Sequence, residues 1–379
     1  MKSTLVPTFK ACFEAYWLLW FGNSNTYSVV STEFKLLLES YFSADSVSHF
    51  KTTIAEEDAN TDIEALMDTI QHYLNHCNQV SAQTPLASSV QDPLSHPILK
   101  HYKIGTKTFA VNVDSELVLQ IIHPAIAHLS LPATAHNVDT SFVIYQKEAY
   151  LYLFKDKKLL SQALKKDYHQ IQGKFIMHLL CDLHNKPETD WIGTFHGSTI
   201  TDGHASMLFV GESGKGKSTL CALLTAHGFD LLADDVSPLL SENQCIYHNP
   251  LALSIKKGAF DLLQPLISNF EELPAVNFKT SKGPIKYVPR PTPKKSHYPC
   301  KAIILVNYTP KAETLLESVS IKTVLETLIP ESWLSPNPLH AKQFINWLET
   351  LHFYRLTYSD TQTMIQTVSE LFKTFKKPQ

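Results

Sequence analysis

The sequence predicts an α/β protein, α+β when all its parts are counted, on three observations. A short apolar strand, a glycine-rich loop and a helix follow one another over 207–227 and lead to a second strand that ends in paired aspartates. A β-hairpin pattern followed by three helical periodicities fills the first 80 residues, and a run of alternating apolar strands occupies 98–155. A chain of 379 residues exceeds the ~250–300 at which single cores stop growing, so two or three domains are expected.

The first 80 residues read as a small module. AYWLLWFG is aromatic and β-prone, NSN supplies turn chemistry, and YSVVS returns as a second strand. Thr32 is placed to cap a helix in which Phe34, Leu37, Leu38 and Tyr41 recur at helical spacing. A weaker helix follows around Ser46 to Ile54. A clear one runs from Asp62 to Cys77, with Ile63, Leu66, Met67, Ile70 and Leu74 along one face. Residues 81–97, rich in proline and serine and without apolar periodicity, read as a linker. From 98 to 192 the chain is β-rich, with helices near Ser115 to Ile122 and Gln170 to His184, and 193–379 contains the glycine loop.

Composition removes several classes of function. A net charge of -3 argues against nucleic acid as a partner, because backbone binding needs a positive surface. No apolar run approaches the ~20 residues that span a bilayer, so no membrane partner is expected. The N-terminus lacks the pattern of a signal peptide. Six scattered cysteines without a CxxC pair predict reduced thiols in a cytoplasmic protein. Of 33 basic residues only Arg290 and Arg355 are arginine, the forked and permanently charged phosphate ligand.

Gly211-Glu212-Ser213-Gly214-Lys215-Gly216-Lys217-Ser218 satisfies G-x-x-x-x-G-K-[ST] between a strand and a helix, and with Thr219 these residues form the expected nucleotide-binding set. Glycines let backbone amides turn toward a polyphosphate, and the helix N-terminus adds positive potential. Lys217 reaches the outer phosphates, and the Ser218 hydroxyl can hold Mg²⁺. The strand over 229–233 should present Asp234 and Asp235 to the phosphates held by its neighbour's loop. Adjacent residues on an extended chain face opposite ways, so one carboxylate can serve Mg²⁺ while the other accepts a proton from an attacking hydroxyl. Residues 273–312 hold eight Lys or Arg and no Asp or Glu. They read as a mobile basic loop from which Arg290 could neutralise transition-state charge, or as a solvated connector. NKPE at 185–188 is not the guanine-selecting pattern and precedes the loop, which favours ATP.

Two resemblances extend this reading. The order strand, turn, strand, then STEFKLLLESYF and DIEALMDTI, resembles the PqqD-like winged-helix module that recognises peptide leaders in pathways making modified peptides. GESGKGKSTLCALLTAHGFDLLADD, preceded by FHGSTI, resembles the HPr kinase family. That second resemblance implies a domain related to the nucleotide-binding part of phosphoenolpyruvate carboxykinase, in which ATP phosphorylates a serine hydroxyl. By position it implies Asp235 as proton acceptor, Ser218 as a Mg²⁺ ligand, Lys217 as phosphate ligand and His196 as an active-site residue. The family's E-I-R-G segment most nearly matches the stretch beginning at Ser254, where serine replaces the metal-binding glutamate and Lys256 falls at the arginine, so Asp234 is expected to carry more of the metal. The sequence therefore predicts an ATP- and Mg²⁺-dependent kinase of a serine-type hydroxyl on a peptide or small protein, of the kinase-only type. The resemblance implies that assembly into a homo-oligomer is possible, since relatives often assemble, but no oligomerisation surface is legible here. A small-molecule kinase and a nucleotide-binding peptide adaptor are the alternatives.

Overall fold

The structure, a computed structural model, describes residues 4–57, 62–80, 96–132, 137–277 and 283–376. Most of the linker expected over 81–97 lies outside them. The elements confirm the mixed α/β class.

The first part is a three-stranded antiparallel sheet, β1 (Phe9–Phe13), β2 (Tyr16–Phe21) and β3 (Thr26–Ser31), followed by α1 (Thr32–Ser43), α2 (Val47–Glu57) and α3 (Ile63–Cys77). Strand β1 adds to the hairpin read from the sequence. The cap of α1 is Ser31, whose hydroxyl accepts the Phe34 N–H, and not Thr32, which is the first helical residue. Asp62 caps α3 by accepting from Ala65 N. The sheet is covered on both faces, which is why β2 reads as an unbroken apolar run. Leu19, Phe21 and Val30 pack with residues of α1–α3, including Leu38, Phe50 and Ile70. Ala11, Leu18, Trp20 and Tyr27 enter a different core, shared with helices near the C-terminus.

The second part is a five-stranded sheet in sequential order: β4 (Ile98–Ile104), β5 (Lys107–Val113), β6 (Thr140–Lys147), β7 (Tyr150–Lys155) and β8 (Lys158–Leu164). Only β5 and β6 are parallel, and the crossover between them carries α4 (Glu116–Ile126), capped by Ser115. Helix α5 (Tyr168–His184) follows β8 and buries Ile171, Phe175 and Leu179 with Phe109, Phe142 and Val111.

The third part supplies a ten-stranded mixed sheet and a small satellite sheet. Its elements run β9 (Trp191–Phe195), β10 (Ser198–Thr201), β11 (Ser206–Val210), α6 (Lys217–Ala226), β12 (Asp230–Ala233), β13 (Ser237–Leu240), β14 (Cys245–Tyr247), β15 (Leu253–Lys256), α7 (Phe260–Leu263), β16 (Ala275–Asn277), β17 (Pro284–Val288) and β18 (His297–Tyr308). Then come β19 (Leu315–Ser318), α8 (Ile321–Leu328), β20 (Trp333–Leu334), α9 (Pro338–Glu349), β21 (His352–Tyr358) and α10 (Thr361–Thr374). The large sheet has the order β12-β10-β11-β18-β14-β13-β9-β20, with β21 also on β18 and β19 on β21. The twelve-residue β18 pairs with β14 at its start and with β11 and β21 along the rest.

Among the described residues, the basic stretch 273–312 is strand over much of its length, in β16, β17 and β18, where Ile285, Val288, Ile303 and Ile304 are buried, while Arg290, Lys294 and Lys295 fall in the connection 289–296 between β17 and β18. Lys279 and Lys282 lie outside the described residues.

The first part docks on α8 and α9. Tyr27 meets Phe344 edge-on at 5.3 Å, and Trp20 donates its indole N–H to Asn25, whose amide donates in turn to Leu334 O at 2.9 Å. The second part docks through a backbone bond, Ala252 N to Ala125 O at 2.9 Å, that ties α4 to the segment leading into β15. Among the described residues, no helix is long and apolar enough to cross a membrane, and the six cysteines are free.

Candidate active site

Every residue of β11 is buried, because the strand is hydrogen-bonded between β10 and β18 and has helix α6 packed behind it. The chain leaves this rigid strand at Gly211, with φ 149, where a Cβ would lie 2.9 Å from Val306 O. The loop closes at Gly216, with φ 92, where a Cβ would lie 3.1 Å from the Tyr358 hydroxyl. Both positions favour glycine for conformation, and Gly211 also for space. Helical bonding begins with Leu220 N to Gly216 O, so the amides of Lys217, Ser218 and Thr219 have no partner within the helix and are available to an anion. Lys217 Nζ curls over the loop and donates to Gly211 O at 2.5 Å and Glu212 O at 3.3 Å. Burial lowers its pKa, opposed by the nearby carboxylates of Asp235 and Asp234.

The aspartates do not come from the strand next to the loop. Strand β10 lies between β11 and β12 and is antiparallel to both. Its first residues therefore fall at the same edge as the last residues of its neighbours, and His196 and Ser198 arrive beside the loop and the pair. The Ser237 hydroxyl holds this corner together, donating to Gly197 O at 2.9 Å and meeting Thr199 Oγ1 at 2.7 Å.

Asp234 is 1% exposed. Its carboxylate accepts the Ser198 hydroxyl at 2.5 Å, the Ser218 hydroxyl at 3.2 Å, the Ser254 N–H at 3.0 Å and the Ser254 hydroxyl at 3.4 Å. Burial raises its pKa, and the Asp235 charge adds to that. Asp235 is the opposite case, with its side chain 62% exposed and Oδ1 3.3 Å from His196 Nδ1. The division between buried and exposed carboxylate does not arise from simple strand alternation. Val236 N bonds back to Asp234 O at 2.7 Å across Asp235, whose φ is 64, a three-residue turn with its centre in the left-handed region. Non-glycine residues occupy such turns at a cost of about 1–3 kcal/mol, characteristically at functional sites.

Ser213, Gly214, Gly216, Lys217, Ser218, Thr219, His196, Asp234 and Asp235 line one cavity of about 1140 Å³. Gly211, Glu212 and Lys215 complete the loop backbone without lining it. Arg290 does not belong to this group: among the described residues it lies off the cavity, and the charge that acts on it is Asp230. Asp230 begins β12, about 13 Å of extended chain from Asp234.

Sequence reasoning overlooked Tyr287, Tyr308 and Tyr358, which also line the cavity. Tyr287 sits opposite Ser254 in the β15–β17 register, a pairing that no local motif announces. Lys256 is cavity-lining as well, with Nζ 3.0 Å from Ser213 Oγ. For a divalent cation the donors fit. A serine hydroxyl that gives its proton to Asp234 turns its lone pairs outward, and a buried carboxylate with a raised pKa is relieved by a nearby positive charge.

No known family profile matches the chain, and no curated protein matches it. Among solved structures it is similar to the HPr(Ser) kinase/phosphatase of Coxiella burnetii, at 15% identity and a TM-score of 0.23, over 48% of this chain and 99% of that one.

Proposed function

We propose that this chain is an ATP- and Mg²⁺-dependent phosphotransferase that phosphorylates a serine-type hydroxyl on a peptide or small protein. The observation that carries this reading is the contrast in burial between adjacent carboxylates in one cavity. Asp234 is buried against Ser218 at the phosphate loop, whereas Asp235 is exposed beside His196. A nucleotide switch needs only the first of these. An exposed carboxylate in the same cavity as the phosphate loop suits removal of a proton from an incoming hydroxyl.

In this mechanism the loop amides and Lys217 bind and orient the β- and γ-phosphates. Ser218, held by Asp234, would be the residue that holds Mg²⁺, which would supply neutralisation of phosphate charge. Asp235 accepts the proton of the acceptor hydroxyl as its oxygen bonds to the γ-phosphorus and the bond to the bridging oxygen of ADP breaks. His196 keeps the Asp235 carboxylate oriented. Ser254, at the position where related motifs carry an acid, completes the hydrogen bonding of Asp234.

The peptide acceptor and a role in a modified-peptide pathway rest on the resemblance of residues 13–80 to peptide-recognition modules. Tethering a substrate there would raise its effective concentration at the cavity. Incubation with γ-labelled ATP, Mg²⁺ and serine-containing peptides tests the reading. Label transferred to peptide is expected, and tight ATP binding with no transfer to any hydroxyl would contradict it and leave a nucleotide-binding adaptor.

A further inference from the structure

The cavity extends well beyond the phosphate loop. At about 1140 Å³ it exceeds the ~300–1,000 Å³ typical of a single small ligand. Its far wall comes from the second part of the chain. Ile121 of α4, Leu151 of β7 and Ile176 of α5 give it an apolar floor, with the more exposed Leu117 of α4 beside them. Gln120, Gln146, Gln172 and Tyr168 supply neutral polar groups from three elements, with Lys165 as the cation. Among the described residues, this wall contains no acid.

Three features make this wall part of the site rather than a neighbouring crevice. The Ala252–Ala125 backbone bond fixes α4 to the segment that enters β15, two residues before Ser254 binds Asp234. Tyr287, opposite Ser254 in the β15–β17 register, lines the same cavity as Asp235 and as Tyr168 of α5. Leu117 is 56% exposed and Tyr168 40% exposed, large side chains at the cavity mouth that an occupant would cover.

We infer that the α4–α5 wall is the acceptor subsite and that it takes an extended peptide segment with neutral residues flanking the reacting serine. This rests on the phosphotransferase reading above. Each glutamine amide offers both a donor and an acceptor, the complement of a peptide group, and the apolar floor suits flanking side chains. A small, wholly polar acceptor would leave that floor unused. Flanking charge of either sign would gain little, because Lys165 on this wall shares the cavity lining with Glu331 and Asp235.

The test uses the full chain, a degenerate peptide library with one central serine, γ-labelled ATP and Mg²⁺, with ATP affinity measured in parallel. Leu117→Asp and Tyr168→Ala alter exposed side chains and should fold. Each is expected to lower kcat/KM for the library about tenfold while ATP affinity stays within about twofold, a loss confined to the acceptor. Leu117→Asp should also shift the library preference toward lysine or arginine beside the serine, which mere structural damage would not do. Unchanged transfer and unchanged flanking preference in both variants would overturn the inference while leaving the phosphotransferase reading intact. Transfer to small polyols but to no peptide would also overturn it. Failure of the unaltered chain to bind ATP would overturn the inference together with the reading on which it rests.

Discussion

The Ser218 hydroxyl lies 3.2 Å from Oδ1 of Asp234, a carboxylate 1% exposed that also accepts from Ser198 and from both the N–H and the hydroxyl of Ser254. One buried side chain thus joins the phosphate-loop helix, the start of β10 and the start of β15. Its replacement by alanine strands these donors away from solvent and should destabilise the protein by about 1–3 kcal/mol, with an added loss of Mg²⁺-dependent ATP binding. Thermal melts with and without Mg-ATP measure both effects. Asp234→Asn, which keeps the shape, should melt nearer the unaltered protein and still lose the Mg²⁺ dependence.

Gly216 closes the phosphate loop at φ 92, where a Cβ would meet the Tyr358 hydroxyl at 3.1 Å and Tyr308 Cβ at 3.3 Å. Gly216→Ala should therefore weaken ATP binding more than it affects stability, with a stability cost of about 1–2 kcal/mol from the strained conformation. Titration calorimetry beside a denaturant melt separates the two.

Phe344 of α9 is fully buried, edge-on to Tyr27 of β3 and stacked with Phe195 of β9. Phe344→Ala opens the contact between the N-terminal sheet and the large sheet. A loss of about 3–5 kcal/mol is expected, read from denaturant melts, together with faster proteolysis in the first 80 residues.

Acid should weaken the fold through buried histidines. Burial holds His178 at about 4, with Lys155 and Lys174 adding to it, and burial holds His248 at about 4 as well. In the unfolded chain each titrates near 6.5. Between pH 6.5 and 4 the unfolded state therefore binds more protons, and stability falls as pH falls through that window, by up to about 1.4 kcal/mol per pH unit for each histidine. Denaturant melts at several pH values check the slope, and His178→Gln should reduce it.

Much of the site's local chemistry was legible in the sequence because it is contiguous. Strand, glycine loop, helix and aspartate pair follow one another over 206–235, and the glycines mark backbone that other residues cannot adopt. The partners that complete the site come from distant strands. Ser198 reaches Asp234 only because β10 runs antiparallel between β11 and β12, and Tyr287 faces Ser254 only through the β15–β17 register. In the basic stretch 273–312, prolines and lysines obscure β16, β17 and β18, and Arg290, in the connection between β17 and β18, does not line the cavity. Strand β1, whose FKACF segment carries a lysine and a cysteine, gave too little alternation to stand out beside the strongly apolar β2.

The central claim is that Asp235 removes the proton and Asp234 organises the phosphate end. The most direct measurement compares ATP affinity and phosphate transfer to a serine peptide in the unaltered chain and in Asp235→Asn. The account predicts ATP affinity within a few-fold and transfer reduced by about 10²–10⁴. An Asp235→Asn variant that transfers phosphate at the unaltered rate would contradict it.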